Sequence, residues 1–102
     1  MNSSPGELVR VVLADDEPFT RSSLMQFVPW REHKCQIINA YKNGSEVLRH
    51  LAKDAPDLII TDIRMPHMDG IELMHAVRET DDRTRFIVVS GYRDFEYAKA
   101  AM

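Results

Sequence analysis

Cysteine is almost missing from this chain: Cys35 is the only one in 102 residues. A lone thiol allows no internal disulfide, so nothing in the sequence points to an oxidising compartment. Positive charge is not in surplus. Lys and Arg number 13 against 16 Asp and Glu, a formal charge of −3, which gives no support for a nucleic-acid or anionic-membrane surface on this domain. No apolar run approaches the length of a membrane span, and no signal peptide precedes the first apolar segment, so the expected location is the cytoplasm. Repeats and low-complexity tracts are also missing. His33, His50, His67 and His75 have no ligand spacing relative to one another and read as surface or helix-face residues. What remains is an ordinary globular balance, 44% hydrophobic and 28% charged, in a length that suits one core and not two.

Residues 1–7 lack periodicity and read as a flexible tail; the folded domain is expected over 8–102. Leu8 to Ala14 is nearly continuously apolar and β-branched, as a strand buried on both faces would be. It ends in Asp15-Asp16-Glu17. Pro18 then suits the first turn of a helix, with Leu24, Phe27 and Val28 as its buried stripe and Pro29 as its end. A weaker strand spans Cys35 to Tyr41. Asn43-Gly44-Ser45 forms a turn and cap, and Val47, Leu48, Leu51 and Ala52 follow at helical spacing. Asp54-Ala55-Pro56 breaks the chain before a strand at Leu58 to Thr61, which stops at Asp62. After a Pro66 loop, Asp69 with Glu72 predicts a capping box, and Ile71, Met74 and Val77 an apolar helix face. A fourth strand covers Phe86 to Ser90, and Asp94 can cap a last helix. The alternation is βαβαβαβα, which specifies a parallel α/β sheet with helices on both faces.

In such a sheet the carboxyl ends of the strands share one edge, where ligands bind. The first strand brings Asp15 and Asp16 there, the third Asp62, and the fourth Ser90. Clustered carboxylates repel one another, and holding them ionised requires a cation. Oxygen ligands alone favour a hard ion, Mg²⁺ or Mn²⁺. Such an ion bridges readily to phosphate, so phosphoryl chemistry with a carboxylate nucleophile is the expected activity. The bland alternatives are helix capping for Asp15 and Asp16, a loop carboxylate for Asp62, and a local backbone contact for Ser90.

Three motifs carry a family resemblance: Val12-Leu13-Ala14-Asp15-Asp16-Glu17-Pro18, Thr61-Asp62-Ile63-Arg64-Met65-Pro66-His67-Met68-Asp69-Gly70-Ile71-Glu72-Leu73, and Val88-Val89-Ser90-Gly91-Tyr92. Together they resemble the receiver domain of two-component response regulators, over about Leu8 to Met102. The resemblance implies a flavodoxin-like doubly wound parallel sheet, an α/β fold, with (βα)4 of the usual five units in this chain. It also implies a phosphoacceptor, Asp62, addressed by a sensor histidine kinase and assisting its own phosphoryl transfer. Asp15, Asp16 and Asp62 would hold Mg²⁺ with the backbone carbonyl of Arg64, and Ser90 would be the switch hydroxyl. Two further stretches, Val28-Pro29-Trp30 into Asn39 to Glu46 and Ser90 to Met102, resemble receivers attached to AraC-type helix-turn-helix domains. That implies transcription regulation, with DNA reached only through an output domain outside these residues.

The family's fifth strand carries a lysine that contacts the phosphoryl group, and no residue here takes that role. Two expectations follow. Strand 85–90 becomes an apolar edge that invites a homo-oligomer, domain swap or aggregation, and the C-terminally truncated receiver is expected to be oligomeric, poorly stable or a piece of a longer protein. The competing functional class is a receiver-like interaction module that cannot be phosphorylated because the lysine is absent. A metal-dependent phosphatase with an aspartyl nucleophile ranks last, because Asp15-Asp16-Glu17 does not supply the Asp-x-Asp pair it needs.

Overall fold

The central strands form where the apolar runs said they would. The computed structural model describes residues 7–81, 83–89 and 100. Strand β1 (Val9–Ala14) is followed by helix α1 (Pro18–Phe27), a 3-10 turn (Trp30–His33), β2 (Cys35–Tyr41), α2 (Gly44–Arg49), α3 (Leu51–Asp54), β3 (Leu58–Asp62), α4 (Gly70–Thr80) and β4 (Arg85–Val89). The strands make one parallel sheet in the order β2-β1-β3-β4. The central strands are therefore β1 and β3, and the chain reverses its winding between them. This is the flavodoxin-like, doubly wound arrangement.

Alternate residues of each strand serve two cores. Val12, Ala14 and Ile59 face Val47, Met65, Leu73 and Val77, under α2 and α4. Val11, Leu13 and Ile60 face the other way, against Leu24 and Trp30 on the α1 side. The Trp30 indole N–H donates to the Leu24 carbonyl at 2.9 Å, tying the 3-10 turn to α1.

Local signals place most helix starts. Glu17 caps α1 with Pro18 in the first turn, and the Asn43 side chain accepts from the Glu46 N–H at 2.9 Å to cap α2. At α4 the capping box is complete: Glu72 N–H donates to Asp69 Oδ1 at 2.8 Å and Asp69 N–H to Glu72 Oε1 at 3.0 Å.

Three sequence expectations differ from the structure. Phe27, assigned to the buried stripe of α1, is 74% exposed, while Leu24 packs on the sheet. Residues three apart on a helix diverge by about 60°, enough to carry Phe27 off the sheet-facing line. The single helix expected over Val47 to Ala52 is interrupted at His50, where φ −102° and ψ 6° leave helical geometry, giving α2 and α3. On α4, Leu73 is fully buried beside Ile71 and Val77, whereas Met74 is only half-buried. Among the described residues, Phe86 and Val88 of β4 pack inward, and Ile87 and Val89 remain about half exposed. Residues 1–6 of the expected tail, Ser90, and the helix expected after Asp94 lie outside the described residues, apart from Ala100.

Candidate functional site

Two strand ends build the site. β1 runs buried to Ala14 and delivers Asp15, whose own backbone is held on both sides: its N–H donates to Tyr41 O at 3.0 Å, and its carbonyl accepts from Arg21 Nη1 at 2.7 Å. Asp15 is buried, and its Oδ1 accepts the Glu17 N–H at 2.9 Å. That turn leaves Asp16 exposed at the sheet edge. β3 delivers Asp62, half-buried, with Oδ1 accepting the Ile63 N–H at 2.8 Å.

Asp15, Asp16 and Asp62 each place a carboxylate oxygen within 4.8 Å of the others. Ligand oxygens around one octahedral Mg²⁺ lie about 3 Å apart when adjacent and about 4 Å when opposite, for metal–oxygen bonds of about 2.1 Å. The three carboxylates therefore fit one small hard cation with little movement. Among the described residues no sulfur or imidazole ligand joins them. The donor set suits Mg²⁺ or Mn²⁺, as the sequence suggested. Beside the cluster, Asp16, Arg64, Met65 and Asp69 line an open groove of about 300 Å³.

Residues 63–69 form an arch over this edge, and its base is closed tightly. Gly70 N–H donates to Ile63 O at 2.7 Å. A Cβ on Gly70 would lie 2.2 Å from the Asp62 carbonyl oxygen, so only glycine fits against the Asp62 backbone. The turn within the arch puts His67 at φ 69°, the left-handed region that non-glycine residues seldom adopt. Strain of that kind collects at functional sites.

Of the residues singled out from sequence, the structure brings Asp15, Asp16 and Asp62 together and sets Arg64 on the adjoining groove. Ser90 follows Val89, which pairs with Asp62 in the sheet, but Ser90 itself lies outside the described residues. Sequence reasoning missed Gly44, whose N–H donates to Met68 O at 3.1 Å and so holds the arch to α2. It read Asp54 as part of a chain break; the structure buries its carboxylate, which accepts from Asn39 Nδ2 at 2.9 Å and Tyr41 Oη at 2.6 Å. The period-two spacing of Asn39 and Tyr41 was the available signal.

An acidic cluster at the β1/β3 edge of a doubly wound sheet, beside an arch rooted in the third strand, lies where open α/β sheets bind their ligands. The family model for the response regulator receiver domain matches residues 11–102, and the chain belongs to that family. It is 38% identical over 95 residues to the transcriptional regulatory protein HptR of Staphylococcus aureus, a match covering 93% of this chain and 37% of that protein. Two solved structures are similar. One is the receiver of AraT, a response regulator from Geobacillus stearothermophilus, at TM-score 0.84 and 32% identity, covering 92% of this chain and 73% of that one. The other is a two-component transcriptional regulator AraC from Clostridium phytofermentans, at TM-score 0.85 and 35% identity with the same coverage. The chain spans 37% of the length of HptR and of two response regulatory proteins of Staphylococcus epidermidis that it also matches. Among the described residues no helix is long and apolar enough to cross a membrane.

Proposed function

We propose that this receiver accepts a phosphoryl group on Asp62 from a phosphohistidine of a sensor histidine kinase, with Mg²⁺ or Mn²⁺ as cofactor. The observation that carries this is the convergence of Asp15, Asp16 and Asp62 at one sheet edge. In the transfer, a carboxylate oxygen of Asp62 forms the new O–P bond while the N–P bond of the phosphohistidine breaks. The electron pair stays on the leaving imidazole nitrogen, which takes up a proton from solvent. The Ile63 N–H, on Asp62 Oδ1, orients the carboxylate. Asp15, Asp16, Asp62 and the Arg64 carbonyl would hold the cation. The bound ion supplies positive charge against the phosphoryl oxygens, the main need of such a transition state.

The role of Ser90 is to donate its hydroxyl to the phosphoryl group and report its arrival to the Ser90–Tyr97 face. The names of the similar proteins support a DNA-binding, transcription-regulating output in the whole protein. Homo-oligomer formation or strand exchange would use β4, a reading supported by the half-exposed Ile87 and Val89.

Incubation with a small phosphodonor and Mg²⁺, followed by intact-mass measurement, tests the reading. The parent chain gains one phosphoryl group, EDTA abolishes the gain, and Asp62→Asn does not label. Equal labelling of Asp62→Asn sinks the assignment. A parent chain that stays unlabelled with the ion bound favours the phosphorylation-independent interaction module.

A further inference from the structure

We infer that Gly44 is a positioning residue for the cation site: because it has no side chain, the start of α2 can lock the crown of the 63–69 arch. This rests on the reading of Asp15, Asp16, Asp62 and the Arg64 carbonyl as cation ligands. Gly44 is buried, and its N–H donates to Met68 O at 3.1 Å. A Cβ there would lie 2.8 Å from that same oxygen, 2.9 Å from Met68 Cγ and 3.2 Å from Leu73 Cβ. The requirement is one of space.

The push from a Cβ at 44 has few places to go. Leu73 is fully buried in the core, so the contact on that side does not yield. The base of the arch is closed by the Gly70 N–H to Ile63 O bond and by Gly70 packing on the Asp62 carbonyl. Asp69 is held by the capping box with Glu72. What can move is the segment between, 64–68, which carries the Arg64 carbonyl and lines the groove with Arg64 and Met65. Asn43 belongs to the same device. Nearly fully buried, it caps α2 through Glu46 and so keeps the Gly44 N–H aimed at Met68. Groups that orient metal ligands from outside the coordination shell typically change affinity by about 10- to 100-fold when removed.

The test is Mn²⁺ affinity of the full chain, measured from the free-ion signal by electron paramagnetic resonance. The parent binds, and Asp62→Asn loses binding. Gly44→Ala weakens Mn²⁺ binding by about tenfold or more. Leu24→Ala, which unpacks the opposite core, lowers stability and leaves Mn²⁺ affinity unchanged. Should Gly44→Ala fail to fold, Asn43→Ala and Asn43→Ser decide the matter: loss of the cap weakens the ion several-fold, and the replacement cap restores it. Parent-like affinity in Gly44→Ala, or equal affinities in the two Asn43 variants, overturns the inference. If the parent itself binds no Mn²⁺, or Asp62→Asn binds as well as the parent, the cation-site reading fails instead.

Discussion

Gly70 is the residue on which the backbone of Asp62 rests. Its backbone N–H reaches Ile63 O, and the space a side chain would need is taken by the Asp62 carbonyl, 2.2 Å from the Cβ position. Substitution must therefore move either α4 or the end of β3. Gly70→Ala is expected to cost about 3 kcal/mol, at the upper end for overpacking a buried contact. Urea unfolding measures it, and a change under about 0.5 kcal/mol, the range of ordinary surface changes, would show that the junction relaxes freely. The Asp69-Gly70 pair was legible in sequence as a helix start with a capping box. Its second role was not, since the crowding comes from the backbone of Asp62, which no sequence pattern encodes. Asp15, Asp16 and Asp62 were legible because each ends an apolar run, and strand ends in a parallel sheet share an edge. Gly44 was read as part of a turn and cap; its contact with Met68 joins two loops that nothing local relates.

At the scale of elements, the break between α2 and α3 is explained by what α3 carries. Asp54 at its end is gripped by two residues of β2, Asn39 and Tyr41, which share a face because they stand two apart on the strand. Arg10 completes the clasp, its guanidinium donating to the Asp54 and Ala55 carbonyls and its backbone N–H to Asp57 Oδ2. His50 stacks on the Tyr41 ring at 5.0 Å between centroids. Burial first, then the hydrogen bond and charge of Asp54, and last the charge of Glu46, push the Tyr41 phenol up from its ordinary 10.0 to about 12. The folded state favours the protonated phenol, so its contribution to stability is whole below pH 10 and is lost as pH rises through about 12. Urea unfolding should show the parent losing more stability than Tyr41→Phe across that window. Parallel losses would mean that the phenol is not coupled to folding. At neutral pH Tyr41→Phe removes one donor from a buried carboxylate and should cost about 1–3 kcal/mol. The helical spacing of Val47 to Ala52 hid this break, because periodicity sees the apolar stripe and not the polar tie that ends it.

At the scale of the whole molecule, the described residues cover the two faces of the sheet unequally. The α2 and α4 side buries Val47, Leu73 and Val77 completely, whereas α1 has no fully buried residue and exposes Phe19 and Phe27. β4 repeats the asymmetry with Phe86 and Val88 inward and Ile87 and Val89 outward. Self-association through β4 therefore predicts a light-scattering mass above that of the monomer at high concentration, restored to the monomer by Ile87→Lys. A monomeric parent chain, or an unchanged oligomer in the variant, contradicts it. The α/β class and the parallel strands were legible because buried strands read as continuous apolar runs. The unequal covering was not, since the α1 residues that look like a core stripe include one that points outward.

The central claim is that Asp62 is the residue that carries the phosphoryl group. An aspartyl phosphate is an acyl phosphate, and borohydride reduces it to homoserine at the modified position. The most direct measurement is peptide mass mapping after treatment with a phosphodonor, Mg²⁺ and borohydride. Homoserine at position 62, absent when Mg²⁺ is withheld, is the predicted result; homoserine at Asp15, Asp16 or Asp69 instead, or at no aspartate of a chain that has gained phosphate, would contradict it.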